Sequence, residues 1–297
     1  MDYWMLALAV AGVFIQNLFK KNYIAAQGAG LIPSLLFNEL TALAALGFLA
    51  AAHAFSGSGF TLHGPTAAYG AAFGVLFTLE LIAGNRALQC GSLALSSLVI
   101  SCSLAVPTLW GVALMGERPG PAGWCGILLL AVSLALIYGS GAREGHAGAP
   151  VSLRWAAWVS AAFFANGLCS VLQKLHQSRY PGLYQYELLE SSMLSALALG
   201  ALALFALCRR AAPRPRGLGR SLAASALPNG LANGAVNLFV VLLAARLPAS
   251  LMFPIISAGG VALTFLASRT VYRERLSPCQ LAGFAAGILS VIVLSLS

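Results

Sequence analysis

The side chains that could do chemistry in this sequence are few, and the informative ones lie inside apolar runs. Glu80 is the deepest, between Thr66 and Leu88 in one such run. An ionisable group at membrane depth is expensive, so it is a functional candidate by default. Tyr69, Phe73, Leu76 and Glu80 follow helical spacing, which puts aromatics and a carboxylate on one face. Asn229, Asn233 and Asn237 stand at i, i+4 and i+8, a stripe of amides. Amides facing lipid would be costly, so this stripe lines a cavity or hydrogen-bonds a neighbouring helix. Asn166, Ser170 and Lys174 share a face of another run, as Gln16 and Lys20 do in the first. Lys20, Lys21 and Lys174 could equally snorkel to the interface. The substrate-contacting set read from these patterns is Gln16, Tyr69, Phe73, Glu80, Asn166, Asn229, Asn233 and Asn237. Glu80 also heads the carboxylates that could exchange a proton for substrate, followed by Glu187, Glu190 and Glu39. Glu39 and Glu187 sit in the first two turns of their runs, where a positive helix end would by itself favour a carboxylate.

The elements that must hold these residues are membrane helices. Hydrophobic residues make up 59% of the 297-residue chain, charged residues 8%, and mean hydropathy is +0.85. A soluble domain carries roughly 25% charged residues, so a soluble enzyme and a disordered chain are both excluded. The net charge of +9 reads as loop charge that orients spans rather than as a nucleic-acid surface. Ten mostly apolar runs have the roughly 20 residues a spanning helix needs: 3–19, 31–53, 66–88, 92–115, 121–139, 153–173, 183–208, 221–245, 249–271 and 279–296. These runs are continuously apolar, unlike the alternating strands of a barrel. The six cysteines form no CxxC and read as small buried hydrophobes. No basic n-region precedes the first run, so it is not read as a signal peptide.

The chain repeats itself. Glu117-Arg118-Pro119-Gly120-Pro121 with Gly126 matches Glu274-Arg275-Leu276-Ser277-Pro278 with Gly283, an E-R-x-x-P-x-x-x-x-G element at an offset of 157 (274 − 117). The same offset sets Asn237 against Glu80. Pro33 with Glu39 and Leu40 matches Pro181 with Glu187 and Leu188. Five spans have an odd number of crossings, so a second set must enter from the opposite side. The expected architecture is all-α integral membrane, ten transmembrane helices as two inverted five-helix repeats over 1–145 and 146–297.

Ten short-looped helices with this element after each fourth helix resemble the drug/metabolite transporter superfamily, in its EamA-like branch. The resemblance covers essentially the whole chain. It implies a multi-pass protein of the cell membrane with a cavity between its halves. Its activity would be secondary active transport of a small polar metabolite, amino acid or drug-like solute, in the direction of export. The expected mechanism is alternating access, with Pro107, Pro254, Gly259 and Gly260 as hinges in the fourth and ninth spans. Expected partners are a small-molecule substrate, the lipid bilayer and protons, with no nucleic acid, cofactor or metal. An integral-membrane enzyme and a channel are the alternatives. The four histidines (His53, His63, His146, His176) lie near span ends and form no metal motif, and no ring of like charges marks a pore.

Overall fold

The computed structural model describes residues 2–27, 31–91, 105–116, 120–143, 152–209, 218–271 and 277–295, together with 96, 99, 100 and 103. Among the described residues there is no strand. Helices run over Asp2–Gln27 (α1), Leu31–Ser56 (α2), Gly64–Cys90 (α3), Ala105–Leu114 (α4) and Pro121–Arg143 (α5). They continue over Leu153–Arg179 (α6), Gln185–Cys208 (α7), Leu218–Ala244 (α8), Ala249–Thr270 (α9) and Pro278–Ser295 (α10). Both E-R-x-x-P elements fall largely outside the described residues, as does much of the run 92–115.

Among the described residues, six helices (α1, α2, α3, α6, α7 and α8) are long and apolar enough to cross a bilayer. Their outward faces carry side chains that water would reject. Leu43, Val75, Phe164, Leu194, Leu202 and Leu231 are all exposed. The interior, by contrast, buries Asn38, Thr41, Asn85, Gln173, His176, Asn229 and Asn233. An apolar exterior around an interior that buries many polar groups among its apolar clusters suits a helical bundle immersed in lipid. Cys169 is buried as expected, but Cys125 and Cys279 are exposed, on the outer surface of their apolar helices.

α1 packs on α8 and α9, and α6 packs on α3 and α4. α2 packs on α7 and α8, α3 on α7, and α5 on α10. Small residues make the tightest seams. A Cβ on Gly74 of α3 would run into the Ser192 carbonyl and Ser195 of α7, and one on Gly230 of α8 into the Thr41 carbonyl and Ala44 of α2. Contacts at the two ends of α2 show how the helices run. Near its start, Phe37 stacks on Tyr23 at the end of α1 (4.6 Å), with Ala226 from the first part of α8 in the same apolar cluster. Near its finish, His53 pairs with Glu190 at the start of α7 (2.9 Å). Thr66 at the start of α3 meets His176 at the end of α6 (2.9 Å). α1 therefore ends at the face where α8 begins, and α6 ends at the opposite face, where α3 begins.

The four residues expected as hinges fall in α4 and α9. Pro107 is the third residue of the described stretch of α4. Pro254 falls within α9. Gly259 and Gly260 let α9 approach α1, since a Cβ on either would lie 2.7 or 2.8 Å from Val10 or Val13. Another proline inside a helix is Pro228 of α8, one residue before Asn229. Having no N–H, it leaves the carbonyl one turn back without its helical partner.

Candidate functional site

Four helices surround a cavity of about 140 Å³, with small contributions from Ile100 and α9. α1 lines it with Val13, Gln16, Asn17 and Lys20, and α6 with Asn166, Cys169, Ser170 and Gln173. Both sets follow i, i+3, i+4, i+7, one face of a helix. α3 contributes Phe73, Phe77, Glu80, Leu81 and Leu88, and α8 contributes Asn229, Asn233, Val236, Asn237 and Val240. The first four of each follow i, i+4, i+7, i+8, and the fifth differs. In this register Glu80 corresponds to Val236, one residue away from the Asn237 that the sequence offset set against it.

Charge enters the cavity from one wall. Lys20 Nζ of α1 lies 3.3 Å from Glu80 Oε1 of α3, with side chains only 12% and 10% exposed. Gly84, one turn beyond Glu80, makes room for the ammonium; a Cβ there would stand 3.0 Å from Lys20 Nζ. Lys20 therefore turns inward rather than snorkelling. Glu80, which has no cation on its own helix within one turn, receives one from sixty residues away. A buried pair holding a single contact leaves further donors and acceptors of both groups open to a ligand.

Amides line the rest. Gln173 Nε2 donates to Asn237 Oδ1 (2.9 Å), Asn237 Nδ2 to Asn233 Oδ1 (3.1 Å), and Asn233 Nδ2 to Gln16 Oε1 (2.9 Å). This chain ties α6, α8 and α1 together head to tail. Asn229 Nδ2 donates to Thr41 Oγ1 of α2 (3.1 Å), while its buried Oδ1 has no partner. Asn166 Nδ2 donates to Ser103 Oγ (2.6 Å). The asparagine stripe thus both lines the cavity and joins helices.

Seven of the eight residues read as substrate contacts meet at this cavity: Gln16, Phe73, Glu80, Asn166, Asn229, Asn233 and Asn237. Tyr69 does not. It lies one turn nearer the start of α3, edge-on to His176 at 5.6 Å. Among the four carboxylates only Glu80 reaches the cavity. Glu39 faces Gly200 of α7. Glu187 accepts from the Thr61 hydroxyl (2.9 Å) and amide (3.3 Å). Glu190 is taken by His53. Lys174 also points inward, donating to the carbonyls of Ala244 (3.3 Å) and Leu247 (2.8 Å) at the end of α8, where a cation suits the helix terminus.

Sequence reasoning set Lys20 on the Gln16 face without counting it as a contact, and missed Asn17 and Gln173 as lining residues. Their signals were the spacing of Asn17 from Lys20 and of Gln173 from Asn166 along one face. It also missed the histidine cluster at the α3–α6 end, built across connections rather than along a helix.

No family model matches the chain, and no curated protein matches its sequence. Among solved structures, the chain is similar to one described only as "Crystal structure of protein", with a TM-score of 0.72 and 20% identity, covering 99% of this chain and 96% of that one. At that identity the likeness speaks for the fold alone.

Proposed function

We propose that this protein is a secondary carrier that moves a small polar solute across the cell membrane by alternating access. The observation that carries this reading is a small cavity at mid-bundle, lined by one ion pair and a chain of amides on four helices. Such a lining offers directional hydrogen bonds and both signs of charge in a water-poor site. The void is small beside the roughly 300–1,000 Å³ clefts that hold drug-sized ligands, which favours compact metabolites and amino acids over bulky drugs.

The carrier reading includes ten spans as two inverted five-helix halves, 1–145 and 146–297, of the EamA-like kind. The packing supports it. Exchanging each helix with the one five places on turns α1–α8 into α6–α3, α1–α9 into α6–α4 and α2–α8 into α7–α3, all of them real contacts. The opposite directions of α1 and α6 support it too, as does the shared spacing of the lining residues. Export and coupling to protons complete the reading, with Glu80 as the coupling carboxylate because it alone of the four reaches the cavity.

Counterflow into proteoliposomes preloaded with single solutes (amino acids, polyols, quaternary ammonium ions) tests the proposal. Saturable uptake of one class, lost in Lys20→Met, is expected. Folded protein that moves none of them, or uptake indifferent to Lys20→Met, overturns it. An imposed pH gradient then tests coupling: uptake by Glu80→Gln as responsive as that of the unaltered protein removes Glu80 from that role.

A further inference from the structure

Beyond the cavity, α3 and α6 continue to one face of the bundle, and there a chain of polar groups joins them. His63 Nδ1 lies 2.9 Å from Thr66 Oγ1, which lies 2.9 Å from His176 Nε2. His176 Nδ1 lies 3.0 Å from Gln177 Nε2. The direction of every bond is fixed by Gln177. Its Oε1 accepts from the Gly182 amide (3.1 Å) and from Gln185 Nε2 (3.1 Å), and its Nε2 donates to the Leu183 carbonyl (3.3 Å). An amide N–H can only donate and a carbonyl can only accept, so Gln177 Nε2 is the donor to His176 Nδ1. His176 is then neutral, with its proton on Nε2 directed at Thr66, whose hydroxyl donates on to His63.

We propose that this chain is a proton-operated latch, which holds α3 to the α6–α7 turn while His176 is neutral and releases it when His176 takes a proton. A proton can enter only at Nδ1, the free lone pair of the ring. There it would confront the Gln177 NH₂, two donors 3.0 Å apart. Turning the Gln177 amide over removes that conflict, but it gives up the bonds to Gly182 and Leu183 that shape the turn. The turn is poised to move. Gly182 (φ 72°) and Tyr184 (φ 53°) are both left-handed, and Tyr184 has no glycine's freedom there. Tyr184 is held by stacking on His63 (4.4 Å), the other end of the same chain.

The groups facing His176 are Tyr69 from α3, His63 from the α2–α3 connection, Tyr180 from the turn and Glu187 from α7. Glu187 Oε1 is engaged by Thr61, and the neighbouring His53 by Glu190, and no bond from either reaches His176 to supply the acceptor that a protonated Nδ1 would need. The closed latch binds fewer protons than the open one, so falling pH favours opening. Gln173, three residues before His176, lines the cavity, which puts the latch at most about two helical turns from it. In the carrier reading it closes that end of the solute path.

Hydrogen exchange of the full-length protein in lipid nanodiscs tests the latch without reference to transport, so its failure would leave the carrier reading standing. Protection of the Gly182 and Leu183 amides, corrected for intrinsic rate, is expected to fall on the order of tenfold between about pH 7.5 and about pH 4.5. His176→Gln keeps a donor for Thr66 but cannot take the proton, and should abolish the fall. Gln177→Glu supplies an acceptor for protonated His176 and should also keep the turn closed in acid. Unchanged protection in the unaltered protein, or the same fall in His176→Gln, overturns the proposal.

Discussion

In the repeat proposed above α1 and α3 correspond to α6 and α8, and the two walls of the cavity are joined in different ways. α1 and α3 meet through an ion pair, Lys20–Glu80 at 3.3 Å. α6 and α8 meet through an amide bond, Gln173 to Asn237 at 2.9 Å, and the nearby lysine, Lys174, spends its charge on the last carbonyls of α8. The backbone spacing is shared and the electrostatics are not. A scaffold of this kind can place charge on one side of a central void by changing single partners, without altering how its helices pack.

The walls should therefore respond differently to the loss of one partner. Glu80→Leu leaves Lys20 buried and unpaired, a change that costs about 3–5 kcal/mol. Equilibrium unfolding in mixed micelles should show that loss, and Lys20→Met in the same chain should recover most of it. A double variant no more stable than Glu80→Leu would break the comparison, because the pair would then not be the source of the cost.

The seams outside the walls should instead behave alike. Gly74→Val in the α3–α7 seam and Gly230→Val in the α8–α2 seam each force backbones apart, at about 1–3 kcal/mol by the same unfolding assay. Widely different values would mean that the resemblance between the walls stops at the lining. On the neutral wall, Gln173→Leu strands the Asn237 carbonyl and should cost about 1–2 kcal/mol, clearly below Glu80→Leu. The smallest effect belongs to Glu187→Gln, whose contacts with Thr61 are exposed. It should lie below about 1 kcal/mol and leave solute uptake in proteoliposomes intact.

Much of this arrangement is legible in the sequence, because lipid imposes its requirements residue by residue. A continuous apolar run such as 66–88 announces a helix, and the structure extends it only to Gly64–Cys90. Glu80 stands out because a lone carboxylate in such a run needs a reason. The stripe of Asn229, Asn233 and Asn237 is visible because one helix carries it whole. The partner of Glu80 is not visible, since Lys20 reaches it from another helix and spacing speaks only within one. Tyr69 fell off the cavity for a related reason. A helical face is continuous in sequence, but the void along it ends, and one turn decides which side of that limit a residue takes. His63 and His176 come together across two connections, and no periodicity records such a meeting.

In the carrier reading, the size of the chamber sets the terms of passage. A void of about 140 Å³, small beside the roughly 300–1,000 Å³ of drug-sized clefts, leaves a bound compound little room for water of its own. A solute that fits would give up much of its hydration shell on entering, and the carboxamides inside would replace part of those lost bonds. Selection would then rest on how closely a compound's polar groups match that fixed set of replacements.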